Sequence, residues 1–204
     1  MAAKIYTFKI TYADCGDKIW RIAAVSSNYT LADLGYMVLA TFDTKAYHMF
    51  EMRYKNTIYF LSEEDFEDLP TTDGDRHEIL WQHKLENLDI AIGDRIDMTY
   101  DWGCEQVFII ELLNIGDMPK GHGKAYPKIL DGAGKGIVDD MPADELLEAI
   151  EKTDAEGHSG IYYSSIEFGQ APEWDYRNYK IDIDNMLLKG TIARIRDGYE
   201  NFED

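Results

Sequence analysis

The chain has 204 residues, with 20 Lys and Arg against 39 Asp and Glu, a formal charge of −19. That balance argues against a protein that grips nucleic acid or an anionic membrane, because both need a basic face. Hydrophobic content of 45% and aromatic content of 13% argue against disorder and are ample for one core. No apolar run approaches the roughly 20 residues of a membrane helix.

Residues 4–12 alternate with period two, Asp14 to Asp17 forms a turn, and residues 18–25 read as the returning strand. The start runs straight into this strand, so no signal peptide is expected. Thr30, with Asp33 three residues on, predicts a capped helix over 31–42 whose Leu31, Leu34, Val38 and Phe42 share a face. Residues 47–54 and 57–61 predict a second hairpin turned at Lys55-Asn56. The opening order is therefore ββαββ, compatible with a β-grasp-like arrangement. Residues 62–78 hold eight acidic residues and one basic one, which predicts a solvated loop with a short helix after Ser62. A short helix is also expected within 79–90.

Residues 95–101 and 106–115 predict a third hairpin turned at Trp102-Gly103-Cys104. Its apolar second arm, Val107 to Ile110, suits a central strand. Residues 116–125 read as a Gly/Lys/His-rich mobile segment. Pro142 opens a helix over 142–152, with Leu146, Leu147 and Ile150 on one face and Asp144, Glu148 and Glu151 on the other. Residues 154–180 read as irregular and aromatic. Asp182 or Asp184 caps a last helix that Gly190 is expected to interrupt. The whole reads as a single α+β domain over 1–204, core 4–190, with a mostly antiparallel mixed sheet and helices packed on one face.

Motifs for chemistry are sparse. Gly132 to Gly136 is Gly-rich, but it lacks the following Ser/Thr of a P-loop and runs into Asp139-Asp140, so it reads as a turn. Cys15 and Cys104 have no partner at zinc-finger spacing, and no metal site or cofactor is predicted. They are read as free thiols of a cytoplasmic protein. His48, at a strand start near Glu51, is a candidate general base. Asp101 and Asp139 are the other catalytic candidates. On an extended segment Asp139 and Asp140 would face opposite ways, so only one could join a site. Arg21 could clamp an anion, but pairing with a carboxylate is favoured in so acidic a chain.

Ile19-Trp20-Arg21, the 31–42 helix, His48-Met49-Phe50-Glu51-Met52, Tyr100-Asp101-Trp102-Gly103, and Asp131-Gly132 leading to Asp139-Asp140 occur in that order. Together they resemble the plasmid pRiA4b ORF-3-like family, over most of the chain. The family pattern has an I-W-R strand, an H-L-x-x-F strand, a Y-D-F-G-D-x-W-x-H hairpin and a P-x-E-D segment. The resemblance implies a bacterial or archaeal α+β domain, often of mobile elements, without an assigned activity. This chain departs from the pattern at Cys104, Gln106 and Phe108, which replace Asp, Trp and His, and at Met141-Pro142, which replaces Gly-Gly. A resolvase role has no support, since no basic arm is visible.

The leading expectation is a non-catalytic acidic binding or adaptor protein with a protein partner. Candidate binding residues are Trp20, Arg21, Glu51, Tyr100, Trp102 and Trp174, since exposed Trp and Tyr anchor interfaces. One alternative is a hydrolase or nuclease in which His48, Glu51, Asp101, Asp139 and Asp140 converge. Another is an acidic DNA mimic that occupies a basic groove through residues 62–78 and 139–156.

Overall fold

The computed structural model describes residues 3–65, 74–162 and 172–201. Eight strands form one sheet: β1 (Lys4–Tyr12), β2 (Trp20–Ser26), β3 (Phe50–Tyr54), β4 (Thr57–Phe60), β5 (Arg76–Ile79), β6 (Arg95–Tyr100), β7 (Gln106–Asp117) and β8 (Lys128–Ala133). Three helices accompany it: α1 (Leu31–Thr41), α2 (Ala143–Glu156) and α3 (Ile181–Glu200). The sheet order is β5-β4-β3-β6-β7-β1-β2-β8. Among the described residues only β4 and β5 pair in parallel. The ββαββ opening is present. A β-grasp would set its first strand parallel to a later central one, whereas both neighbours of β1 run antiparallel to it.

Alternation decides which side is core. Phe8, Ile10 and Tyr12 of β1, Phe108, Ile110 and Leu112 of β7, and Ile96, Met98 and Tyr100 of β6 are fully buried on the helix side. The helices cover that face. Thr30 caps α1 through a capping box, its hydroxyl accepting from the Asp33 amide while Asp33 accepts from the Thr30 amide. Leu146, Ala149 and Ile150 turn α2 inward, and its acidic face stays exposed. Tyr36 of α1, Tyr199 of α3 and Phe50 of β3 close a three-ring cluster with centroids 5.5–5.9 Å apart. Among the described residues no helix is long and apolar enough to cross a membrane.

Several expectations change. Helix α3 runs unbroken through Gly190, and neither Asp182 nor Asp184 caps it; the position before the helix is Lys180. Leu188, Ile192 and Ile195 are buried along α3, and their packing carries the helix across the glycine. Residues 79–90 hold only two short 3-10 turns, Leu80–Gln82 and Leu85–Asn87. The short helix expected after Ser62 lies mainly in 66–73, outside the described residues.

Strands β5 and β8 were not anticipated. The Gly-rich segment 132–136 begins inside β8 and runs past its end, and several main-chain groups there are already engaged. The Lys135 amide donates to Tyr176 and the Ile137 amide to Phe42. The Ala133 and Lys135 carbonyls accept from Arg21. A segment that offers carbonyls to a guanidinium is not a phosphate cradle.

Candidate functional site

The β6–β7 turn organises the site. Tyr100 ends β6, and Asp101 then takes a left-handed φ of 56°, a conformation Asp tolerates better than most residues. Its Oδ1 accepts from the amides of Gly103 at 3.1 Å and Cys104 at 3.4 Å, the turn-capping role expected of Asp here. The Asp101 amide donates to the Met49 carbonyl at 3.1 Å, and Phe50 lies opposite Tyr100 in the ladder. These bonds bring the segment before β3 beside the turn, and His48 with it.

A third segment closes the site. Gln106 at the start of β7 donates to the Met141 carbonyl, which holds residues 139–141 against the hairpin. Asp139 turns inward: its Oδ1 accepts from buried Tyr100 at 2.6 Å, and its Oδ2 accepts from the Lys45 amide at 2.9 Å. Asp140, at φ 63°, turns outward. Residues 139 and 140 lie in a turn and not on the extended segment expected, so it is the left-handed backbone at Asp140 that sends the two carboxylates different ways, and Asp140 is the member that joins the site.

His48 Nε2 lies 2.8 Å from Asp140 Oδ1 and 3.5 Å from Asp101 Oδ2. One donor atom from each of His48, Asp101 and Asp140 lies within 4.8 Å of the others. Tyr47 donates to the second oxygen of Asp140. That bond, and then His48, hold the Asp140 carboxyl below its usual range. Asp101 is buried, and its Oδ2 has no hydrogen-bond partner. The Tyr100 ring meets the His48 ring edge-on at 5.6 Å. Burial, and then Asp139, push the Tyr100 phenol well up.

Glu51 does not join this cluster. Phe50 and Met52 face the helices, so Glu51 between them faces the other side of the sheet. There it stands opposite Thr99, which stands opposite Val107. These three residues, with Trp102 and Glu105 at the end of the row, line a groove of about 400 Å³. Trp102 is 45% exposed. Burial raises the half-buried Glu51 carboxyl, and Arg53 and His77 act against that rise.

The remaining candidates are dispersed. Trp20 lies on the outer face of β2 under Lys9. Arg21 is fully buried and bound mainly to carbonyls, with Asp184 Oδ2 as its one close carboxylate at 3.7 Å. Tyr100 is core. Trp174 is fully buried beside Tyr176, so it offers no surface anchor.

The three segments that meet at the site are those that carry motif residues: His48, Tyr100-Asp101 and Asp139-Asp140. The sequence profile of the plasmid pRiA4b ORF-3-like protein family matches residues 4–182. The chain belongs to the plasmid pRiA4b ORF-3-like family. This is a family of unknown function. A similar solved structure is a protein of unknown function, MM3350, from Methanosarcina mazei Go1. It is 20% identical, has a TM-score of 0.65, and the match covers 88% of this chain and 98% of that one. The likeness shows a shared fold. No curated protein matches the sequence.

Within this pRiA4b ORF-3-like chain, two of the positions that depart from the family pattern, Gln106 and Phe108, are buried in the core, while Cys104 and Met141 are half-buried and Pro142 is exposed. Phe108 packs edge-on against Phe42 at 4.8 Å, and Gln106 accepts from Tyr12. The retained His48 and Asp101 remain together at the rim. Sequence spacing rules find no metal set here, because the three donors come from segments about 40 to 50 residues apart and those rules expect close pairs. Tyr47 and Glu105 carry no motif of their own; their adjacency in sequence to His48 and to the 101–104 turn is the one signal that points to them.

Proposed function

We propose that the chain is a non-catalytic binding protein that receives a basic side chain of a protein partner in the groove of Glu51, Trp102 and Glu105. The observation that carries this reading is the composition of the groove. An exposed indole stands beside two carboxylates, and neither glutamate forms an ion pair with another described residue. A guanidinium or ammonium there gains the ring face and a carboxylate together. Trp is favoured among residues that dominate binding energy. The formal charge of −19 adds long-range attraction. A field of this sign speeds encounter with basic partners and weakens with salt.

The test is a titration of labelled oligo-arginine and oligo-glutamate peptides against the full chain. Saturable binding of the basic peptide is expected, falling with ionic strength. Trp102→Ala and the pair Glu51→Gln with Glu105→Gln should each weaken it by about 5-fold or more, in line with a desolvated cation–π contact and a lost charge pair. Equal binding by wild type and variants removes the reading.

A further inference from the structure

We infer that His48, Asp101 and Asp140 form a binding site for a borderline divalent cation of the Zn²⁺ type, distinct from the groove on the opposite face of the sheet. Three side chains from three segments present one imidazole nitrogen and two carboxylate oxygens to a common point. The spacings suit a metal. Bonds of about 2.1 Å at tetrahedral or octahedral angles set neighbouring donors roughly 3 to 3.4 Å apart. The distances from His48 Nε2, 2.8 Å to Asp140 and 3.5 Å to Asp101, bracket that range, and the two carboxylate oxygens, within 4.8 Å of each other, draw together on the ion.

The independent pointer is Asp101. Its side chain is 7% exposed. Its two oxygens have divided roles: Oδ1 caps the turn, while Oδ2 is buried, faces His48 and has no hydrogen-bond donor. A buried carboxylate oxygen without a donor is costly, and a cation at the shared point removes that cost. The surroundings also fit. Tyr47 fixes the outer oxygen of Asp140, as second-shell donors orient metal ligands. Asp139 is excluded from the ligand set, because Tyr100 and the Lys45 amide occupy both its oxygens. The Asp140 side chain is 59% exposed, which leaves an entry path and room for water to complete the coordination.

Ligand type narrows the ion. Imidazole suits Zn²⁺ and its transition-metal neighbours, whereas Mg²⁺ and Ca²⁺ favour all-oxygen shells. Chain stripped with EDTA and titrated with ZnCl₂ should take up one Zn²⁺ per molecule and melt at a higher temperature. Millimolar Mg²⁺ should not displace the ion. His48→Gln and Asp140→Asn should each weaken uptake by about 10-fold or more, as loss of a ligand demands. Both side chains are partly exposed, so the metal-free variants should keep the wild-type circular dichroism spectrum. Co²⁺ added to the unmodified chain should give visible d–d absorption that Zn²⁺ abolishes, a readout that needs no variant. Zn²⁺ uptake no greater in wild type than in His48→Gln, or a featureless Co²⁺ spectrum, would overturn the site.

Discussion

The guanidinium of Arg21 lies against the Tyr179 ring, 3.6 Å from carbon to centroid, with the Phe42 ring 4.8 Å away. Its nitrogens donate to the carbonyls of Trp20, Thr41, Ala133 and Lys135. Asp184, itself bonded by Tyr179 at 2.7 Å, supplies the nearby charge. One side chain thus ties β2, the end of α1, the segment after β8 and the start of α3. Burial pulls its pKa down, and Tyr179 and Asp184 act against that.

Lysine cannot reproduce this fork. It has three donors on a point charge and no planar face to stack. Arg21→Lys leaves buried carbonyls without donors and should cost about 3 kcal/mol or more. For a chain of this size that is a drop of roughly 6 to 12 °C in thermal midpoint. A midpoint for Arg21→Lys equal to wild type would show that the network contributes nothing to stability.

Gly35 faces Phe50 across the α1–β3 contact. A Cβ added there would overlap the Phe50 ring, with Cζ at 2.6 Å and the Met52 methyl at 3.2 Å. The ring cannot retreat, because Tyr36 and Tyr199 pack against it. Alanine is the better helix former by about 1 kcal/mol, but overpacking costs about 1 to 3 kcal/mol. Gly35→Ala should therefore destabilise. Combined with Phe50→Leu, the loss should be less than additive in a double-mutant cycle. Strict additivity would rule the steric account out.

Gly190 calls for the opposite change. It is exposed in the middle of α3, and a Cβ there meets nothing within 4 Å. Gly190→Ala keeps every contact and gains helix propensity, so it should stabilise by about 0.5 to 1 kcal/mol. A denaturant midpoint that stays put or falls would mean that α3 bends at this residue in solution.

These glycines also show what the sequence discloses. The β1–β2 and β6–β7 hairpins and the capped α1 were legible because alternation, turn residues and the Thr30–Asp33 box act over a few residues. Strands β5 and β8 were not. Arg76 to Ile79 and Lys128 to Ala133 become strands by docking on β4 and β2, partners about 20 and 110 residues away in sequence. The interruption expected at Gly190 weighed local propensity against packing that only the assembled core supplies. At the site, residue types gave His48 and Asp101, but they gave Asp139 where Asp140 is the residue that faces His48, because a turn with a left-handed Asp140 replaces the extended segment expected there. Their meeting point depends on the Asp101–Met49 and Gln106–Met141 bonds, which no local pattern encodes.

Alkaline pH should expose the buried acids. Burial, and then Asp14, push the Cys15 thiol from 9.0 up to about 12. Burial, and then Asp33, push the Tyr29 phenol from 10.0 to about 12. Tyr12, Tyr36 and Tyr199 are raised for the same first reason. Each group is neutral in the fold and ionises more readily in the unfolded chain. Its stabilising contribution is therefore complete below the unfolded value, near 9 to 10, and is lost as pH climbs towards 12. The thermal midpoint should fall steeply above about pH 9. Phenolate absorbance at 295 nm should then rise together with loss of circular dichroism. A thiol reagent at pH 8 should label half-buried Cys104 and spare buried Cys15 until denaturant is added. Smooth ionisation of every tyrosine near pH 10 with the fold intact would contradict this, because it would require the rings under α1 and α3 to be in contact with water.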